Sequence, residues 1–160
     1  MLDDKVKILQ LDSKNMLGSI QLLGKQVAEV LALAKKVKIP SSYKKASNIV
    51  VLGMGGSALG AHLIKSVFLD SLKIPVEIVN KYLAPEFVSK NSLVIASSYS
   101  GSTEEIISAV ADAKKRKAKI MVIASGGKLA DWAKQNHIPA LVFSTNNNPC
   151  GSPRMGLGYS

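Results

Sequence analysis

The sequence has few of the side chains that build metal centres and disulfides. Its 160 residues include one cysteine, Cys150, so no internal disulfide can form and no cysteine cluster can hold a metal. The two histidines, His62 and His137, lie far apart in the chain, and each falls in a segment where a structural role is the simpler reading. We therefore expect no metal site.

Long hydrophobic runs are also missing. The longest apolar stretches, such as 49–52 and 120–124, are strand-sized and far below the roughly 20 residues that a membrane span requires. The first ten residues, MLDDKVKILQ, carry acids and lack the apolar segment of a secretory signal. We expect a cytoplasmic protein that has no membrane partner.

Aromatic residues are scarce at 5%, whereas the formal net charge is +10. A nucleic-acid-binding protein would usually gather such charge into a patch interleaved with aromatics, but these lysines are spread over several segments. The densest basic run, 114–117, ends a predicted helix, where cations suit the negative end of the helix dipole. We expect no nucleic-acid partner and a general attraction for small anions.

The first part of the chain has a helical pattern. Apolar residues in 3–37 recur at intervals of three and four, which is typical of amphipathic helices. Leu11, Asp12 and Ser13 resemble a break with an N-cap, so we predict a short helix followed by a long one. The organisation expected is an N-terminal helical segment, 1–46, packed on a domain that comprises residues 47–160.

The pattern then changes to short apolar runs separated by helical segments. The helices are predicted at about 57–72, 85–90, 103–117 and 127–136, and the strands at 48–52, 76–79, 92–97, 119–124 and 140–143. Strands that are apolar on both faces and joined by helices are parallel and connected by right-handed crossovers. The pattern predicts an α/β fold, a three-layer αβα sandwich around a five-stranded parallel sheet.

Loops after the strands are the places to seek a ligand, because open α/β sheets bind at the carboxyl ends of their strands. The last loop, STNNNPCGSPRMGLGYS, is polar and rich in turn residues. Since a domain of this class should not end on an open loop, we expect the chain to be part of a longer protein.

The segment GMGGSALG follows the first predicted strand. Gly53, Gly55 and Ala58 fit the dinucleotide-binding pattern G-x-G-x-x-G/A, in which glycines let the backbone approach a pyrophosphate. That site also needs an acid at the end of the next strand, where this sequence has Asn80. A dinucleotide site is therefore disfavoured, and a tight turn or another ligand loop stays open.

The segment SYSGST, residues 98–103, lies where a predicted strand turns into a helix. Ser102 is followed three residues later by a glutamate, which fits a capping box. The hydroxyls of Ser98, Ser100 and Thr103, with the free amides of a helix N-terminus, would form a neutral cup for a phosphate. The loop, unlike a P-loop, contains no lysine and no magnesium-binding acid among its hydroxyls, which favours binding of a phosphate without its cleavage.

Four segments together carry a family resemblance: GMGGSALG, SYSGSTEE, SGGKLADWA and PRMGLGYS. In this combination the chain resembles the sugar isomerase (SIS) family, and within it the bifunctional phosphoglucose/phosphomannose isomerases. The resemblance implies a flavodoxin-like fold and interconversion of glucose 6-phosphate or mannose 6-phosphate with fructose 6-phosphate. It also implies that no metal and no cofactor are needed.

The resemblance assigns roles to individual residues. Ser98, Ser100 and Thr103 match the hydroxyls that hold the sugar phosphate, while Gly56 and Ser57 match a loop that contacts the sugar.

Arg154 matches the arginine that stabilises an enediolate, which suits a reaction that places negative charge on oxygen. A solvated arginine is the alternative reading. In the family the glutamate base, the ring-opening histidine and a further lysine lie in a second SIS domain, and none can be assigned to this chain.

The resulting hypothesis is that the chain is the N-terminal phosphosugar-binding half of an aldose–ketose isomerase. The alternative is a stand-alone SIS module that binds or senses a phosphosugar without catalysis. Because SIS domains generally pair, we expect a homodimer, and the apolar face of residues 13–37 is the candidate contact. The alternative is that this face packs within the chain.

Overall fold

The computed structural model describes residues 4–160, and a five-stranded sheet lies at its centre. The strands are β1 (Asn48–Gly53), β2 (Val76–Val79), β3 (Ser92–Ser98), β4 (Lys119–Ala124) and β5 (Ala140–Val142). They lie in the order β2-β1-β3-β4-β5, and every neighbouring pair is parallel. The predicted five-stranded parallel sheet is confirmed.

Three helices precede the sheet: α1 (Lys5–Leu11), α2 (Met16–Gln21) and α3 (Leu23–Ala34). The break predicted after the first helix is confirmed. There the Asp12 carboxylate accepts hydrogen bonds from the backbone N–H groups of Met16 and Leu17 at 2.7 and 2.8 Å. It thereby satisfies amides at the start of a helix, which have no partner within it. The long helix predicted next is divided into α2 and α3, which meet at Leu22.

Three further helices alternate with the strands: α4 (Leu59–Val67), α5 (Glu104–Lys115) and α6 (Gly127–Gln135). In α5, Glu104 and Glu105 occupy the first turn and Lys114 and Lys115 the last, so charges of both signs complement the helix dipole. No helix within residues 4–160 is both long and apolar enough to cross a membrane.

The two faces of the sheet are covered by different helices. Alternate strand residues point to opposite faces, so Val50 and Leu52 pack with α5 and α6, whereas Val51 packs with Ala61 of α4. Near β5, the second face carries a smaller cluster that Val30 of α3 and its neighbours contact. The predicted three layers, helices on both sides of a parallel sheet, are therefore present.

The predicted helix at 85–90 is wrong. This segment forms a turn, with a hydrogen bond from the Val88 N–H to the Pro85 carbonyl at 3.0 Å. Arg116, just beyond α5, explains why: its guanidinium donates to the Pro85 carbonyl at 3.2 Å and to the Glu86 carboxylate at 3.1 and 3.2 Å. Bonds from another element thus fix a loop that local periodicity assigned to a helix.

The predicted helix at 57–72 is shorter than expected. A 3-10 turn over Gly55–Ala58 precedes it, and α4 ends at Val67. Gly55 has a φ angle of +52°, in the left-handed region that favours glycine, so the chain turns sharply between β1 and α4. This turn brings residues 55–57 to the carboxyl edge of the sheet.

Candidate functional site

An open cavity of about 400 Å³ lies at the carboxyl edge of the sheet, beside the ends of β1 and β3. Three loops line it: 54–57 after β1, 99–103 after β3, and the chain around residue 154. Five of the six residues predicted for the site line this cavity: Gly56, Ser57, Ser100, Thr103 and Arg154. Segments far apart in the chain are thus brought together where parallel sheets bind ligands.

The hydroxyl loop, residues 98–103, is folded tightly against the loop that follows β4. Gly101 has a φ of +67°, and a Cβ atom built on it would collide with the Gly126 carbonyl oxygen. The Leu129 N–H also donates to the Gly101 carbonyl at 2.8 Å. Position 101 therefore requires glycine both for its backbone angle and for the close approach.

Ser98 lies beneath the cavity and does not line it. Its side chain is buried, with the residue only 1% exposed, and its Oγ lies 2.8 Å from the Thr103 Oγ1. The same Oγ accepts a hydrogen bond from the Gly101 N–H at 3.1 Å. In this structure Ser98 fixes the loop and the hydroxyl of Thr103, and its direct contact with a phosphate stays a prediction.

The N-terminus of α5 opens on this loop. The helix begins at Glu104, its N-cap is Thr103, and no side chain caps its amides. The capping box predicted for Ser102 is therefore wrong. The Ser102 hydroxyl lies on the other side, close to Gly127, where an added Cβ would come within 2.8 Å of it. Uncapped first-turn amides and the positive end of the dipole favour an anion here.

Ser57 joins the glycine loop, which we define as residues 54–57, to the hydroxyl loop. Its Oγ accepts a hydrogen bond from the Tyr99 N–H at 2.8 Å, and its carbonyl accepts one from the Ser97 hydroxyl at 2.9 Å. Because buried hydrogen bonds of this kind fix both partners, the loops after β1 and β3 form one unit.

Arg154 lies on the arginine loop, which we define as residues 144–160. The loop passes so close to the glycine loop that a Cβ built on Gly56 would lie 2.8 Å from the Pro153 carbonyl carbon and oxygen. Arg154 itself is exposed, and its guanidinium has no ion-pair partner among the described residues. The side chain is thus available to an anion in the cavity.

Two residues that sequence reasoning missed connect the hydroxyl loop to the arginine loop. Asn148 is only 3% exposed, and its Nδ2 donates to the Tyr99 hydroxyl at 2.7 Å and to the Ser152 carbonyl at 2.8 Å. Burial raises the pKa of Tyr99 above its ordinary value, which favours the protonated hydroxyl. Tyr99 stands inside the SYSGST motif, but nothing in the sequence distinguishes Asn148 from its neighbouring asparagines.

The chemistry of the cavity follows from its lining. Hydroxyl groups, among them those of Ser100 and Thr103, a helix N-terminus and one guanidinium supply hydrogen-bond donors for anions, and the lining residues include no carboxylate and no imidazole. Such a set can bind a phosphate at one end and a second negative oxygen at the other. It offers no general base for proton abstraction.

Comparison with known proteins identifies the family of the chain. The sequence model of the SIS domain matches residues 42–147. The bifunctional phosphoglucose/phosphomannose isomerase of Caldicellulosiruptor bescii is 38% identical over 146 residues, which are 91% of this chain and 42% of the relative. The protein of the same name from Thermoplasma acidophilum is 41% identical over 134 residues, 82% of this chain and 39% of the relative. The chain thus spans about two fifths of the length of these relatives.

Among solved structures, the Vibrio vulnificus NanR protein complexed with ManNAc-6P has a similar fold. It aligns with a TM-score of 0.60 and 17% identity over 87% of this chain and 56% of that one. The match over residues 42–147 covers more than half of the chain, and the chain belongs to the SIS domain family.

Proposed function

We propose that this chain binds a hexose phosphate and supplies the phosphate site and the enediolate-stabilising arginine of an aldose–ketose isomerase. The reaction would interconvert glucose 6-phosphate or mannose 6-phosphate with fructose 6-phosphate. The observation that carries the proposal is that Ser100, Thr103 and Arg154 line one cavity at the N-terminus of a helix. The names of the relatives support this choice of reaction.

The phosphate would occupy the end of the cavity formed by the hydroxyl loop. Ser100 and Thr103 provide hydroxyl donors there, and the first-turn amides of α5 point to the same end. Ser98 would act mainly by fixing the Thr103 hydroxyl, at 2.8 Å. The sugar would extend towards Gly56 and Ser57, which line the neighbouring wall.

Arg154 would act on the reacting end of the sugar. Isomerisation removes a proton next to a carbonyl, and the negative charge that accumulates on oxygen is stabilised by a fixed guanidinium. The cavity lining lacks a carboxylate and an imidazole, so the base and the ring-opening group would come from outside the residues described. We expect this chain by itself to bind the sugar phosphate without turning it over.

A stand-alone phosphosugar-binding module is the second candidate. The NanR protein complexed with ManNAc-6P favours it, because that protein shares the fold. The two candidates differ in what the arginine recognises. An isomerase site binds a mimic of the enediolate more tightly than the substrate, whereas a sensor has no such requirement.

A homodimer is proposed as the assembly. One side of the N-terminal helices packs within the chain, since Val30 and Leu33 contact the cluster beside β5. Another side of α3 stays exposed: Leu23, Val27 and Leu31, spaced four residues apart, are 36%, 43% and 58% exposed. Exposed apolar residues grouped on one surface are typical of a protein contact. Light scattering of the chain over a range of concentrations should show a dimer, and a monomer at every concentration would refute this assembly.

The function is tested with arabinonate 5-phosphate, whose carboxylate stands where the enediolate oxygens would form. The chain should bind this mimic more tightly than fructose 6-phosphate, and R154Q should remove the preference. K25Q, which removes one positive charge from an exposed position on α3, is the matched control and should retain it. Equal affinity for the two ligands would favour the binding module.

A further inference from the structure

A buried glutamine holds both ends of the segment that carries Arg154. Gln26 lies on α3 and is fully buried. Its Nε2 donates to the carbonyl of Asn147 at 2.9 Å and to that of Met155 at 3.0 Å, and its Oε1 accepts from the Gly158 N–H at 3.2 Å. Both amide hydrogens and the amide oxygen are therefore used, and every partner is backbone of the arginine loop.

The placement of these bonds relative to Arg154 is what matters. Asn147 precedes the arginine, Met155 follows it directly, and Gly158 lies one turn further on. The side chain of Gln26 thus joins the two sides of the loop to a single point on α3. Backbone carbonyls held in this way fix the path of the residues between them.

Glu29, the next residue on the same side of α3, extends this contact. Its Oε2 accepts from the Asn147 Nδ2 at 2.9 Å and from the Tyr159 hydroxyl at 3.3 Å. Packing reinforces the contact too, because a Cβ built on Gly158 would lie 2.7 Å from the Cβ of Gln26. The arginine loop is therefore seated on α3 as well as on the glycine loop.

The identity of residue 26 needs an explanation that packing alone does not give. An amide buried in an otherwise apolar surface is unfavourable unless it is hydrogen-bonded. Two carbonyls of an irregular loop, buried beside a helix, equally need donors. Glutamine satisfies both requirements, and an aliphatic side chain would leave the carbonyls of Asn147 and Met155 without these donors.

We propose that Gln26 is the positioning residue for Arg154: it fixes the arginine loop so that the guanidinium faces the sugar end of the cavity. The inference rests on the proposed function, in which Arg154 stabilises negative charge. It gives the N-terminal helices a part in the chemistry of the site, through the path of a loop that follows β5.

The substitution Gln26→Glu tests the proposal at almost constant shape. It places a carboxylate oxygen where the amide donates to two carbonyls, at 2.9 and 3.0 Å, and thereby replaces both attractions with repulsion. Gln21→Glu is the matched control, because it makes the same chemical change at the exposed end of α2. Inorganic phosphate and arabinonate 5-phosphate are the probes.

Q26E should weaken the binding of arabinonate 5-phosphate at least tenfold and leave that of phosphate within about twofold. Gln26 makes no direct hydrogen bond to the hydroxyl loop, which Ser57 and the Leu129 N–H hold independently. Q21E should change neither affinity. R154Q and the double variant Q26E/R154Q should bind arabinonate 5-phosphate equally, since Q26E acts only through Arg154 and has no further effect once the arginine is removed. If Q26E does not fold, Q26M removes the same donors without adding charge, and Q26M and Q26M/R154Q are compared in the same way.

Three outcomes would overturn the inference: equal weakening of both ligands, additive effects in the double variant, or a Q26 variant that binds like Q21E. A merely structural glutamine gives one of the first two, because a general loosening of the fold does not select the arginine. Failure of the unsubstituted chain to bind either ligand would instead refute the proposed function, and this inference with it.

Discussion

The contact between the glycine loop and the arginine loop leads to a sharp prediction for Gly56→Ala. A Cβ at this position would lie 2.8 Å from the carbonyl carbon and oxygen of Pro153 and 3.0 Å from the backbone nitrogen of Arg154. Since non-bonded carbon atoms prefer separations of about 3.5–4.0 Å, the two loops must move apart by roughly 0.5–1 Å. Such a displacement breaks the hydrogen bond of Arg154 to an anion, and a hydrogen bond to a charged group is worth about 1.5–3 kcal/mol, or about 10- to 100-fold in affinity.

We therefore expect G56A to weaken binding of arabinonate 5-phosphate by about 10- to 100-fold, measured by calorimetry. Phosphate binding should change little, because the displaced atoms belong to the arginine loop. Gly24→Ala is the control: Gly24 lies in α3, and an added Cβ meets no atom within 4 Å. If G56A bound arabinonate 5-phosphate as tightly as G24A does, the claim that the close approach of Gly56 to Pro153 positions Arg154 would be refuted.

Two further predictions concern the hydroxyl of Thr103 and the buried tyrosines Tyr99 and Tyr159. Thr103→Val removes a hydroxyl that lines the cavity and contacts Ser98 at 2.8 Å. Because a hydrogen bond to a charged group is worth about 1.5–3 kcal/mol, calorimetry should show that fructose 6-phosphate binds about 10- to 100-fold more weakly to this variant. The control variant Ser102→Ala should bind it within about twofold of the unsubstituted chain. Burial raises the pKa of Tyr99 and Tyr159 above the ordinary 10.0, so the free energy of unfolding should be unaffected by these groups below pH 10 and fall as pH rises above it. Urea unfolding between pH 9 and 11 measures this loss, and a rise in stability over that range would contradict it.

Much of the fold could be predicted from the sequence because its strands and helices have strong periodicity. Strands that are apolar on both faces, such as β3, are typical of a parallel sheet, and the loops at their carboxyl ends contain the hydroxyl and glycine motifs. The segment 85–90 could not be predicted, because the contacts that fix it come from Arg116, on another element. The same holds for Ser102, whose side chain is directed towards Gly127.

The site was predicted in part for a similar reason. Motif residues such as Ser100 and Thr103 carry their own local signal, and the structure places both at the cavity. Residues that support the site act over long separations in sequence, and Gln26 reaches the loop that follows β5. One signal was available: Gln26 is a polar residue within the apolar stripe between Leu23 and Val30. Its partners could not be read from that stripe.

The most direct test of the account is a calorimetric titration of the chain with fructose 6-phosphate, with inorganic phosphate as the reference ligand. The cavity shared by the hydroxyl loop, the glycine loop and Arg154 predicts saturable binding of the sugar phosphate that is tighter than binding of phosphate. A folded chain that binds neither ligand, or that binds both equally, would contradict the claim that these three loops form a sugar-phosphate site.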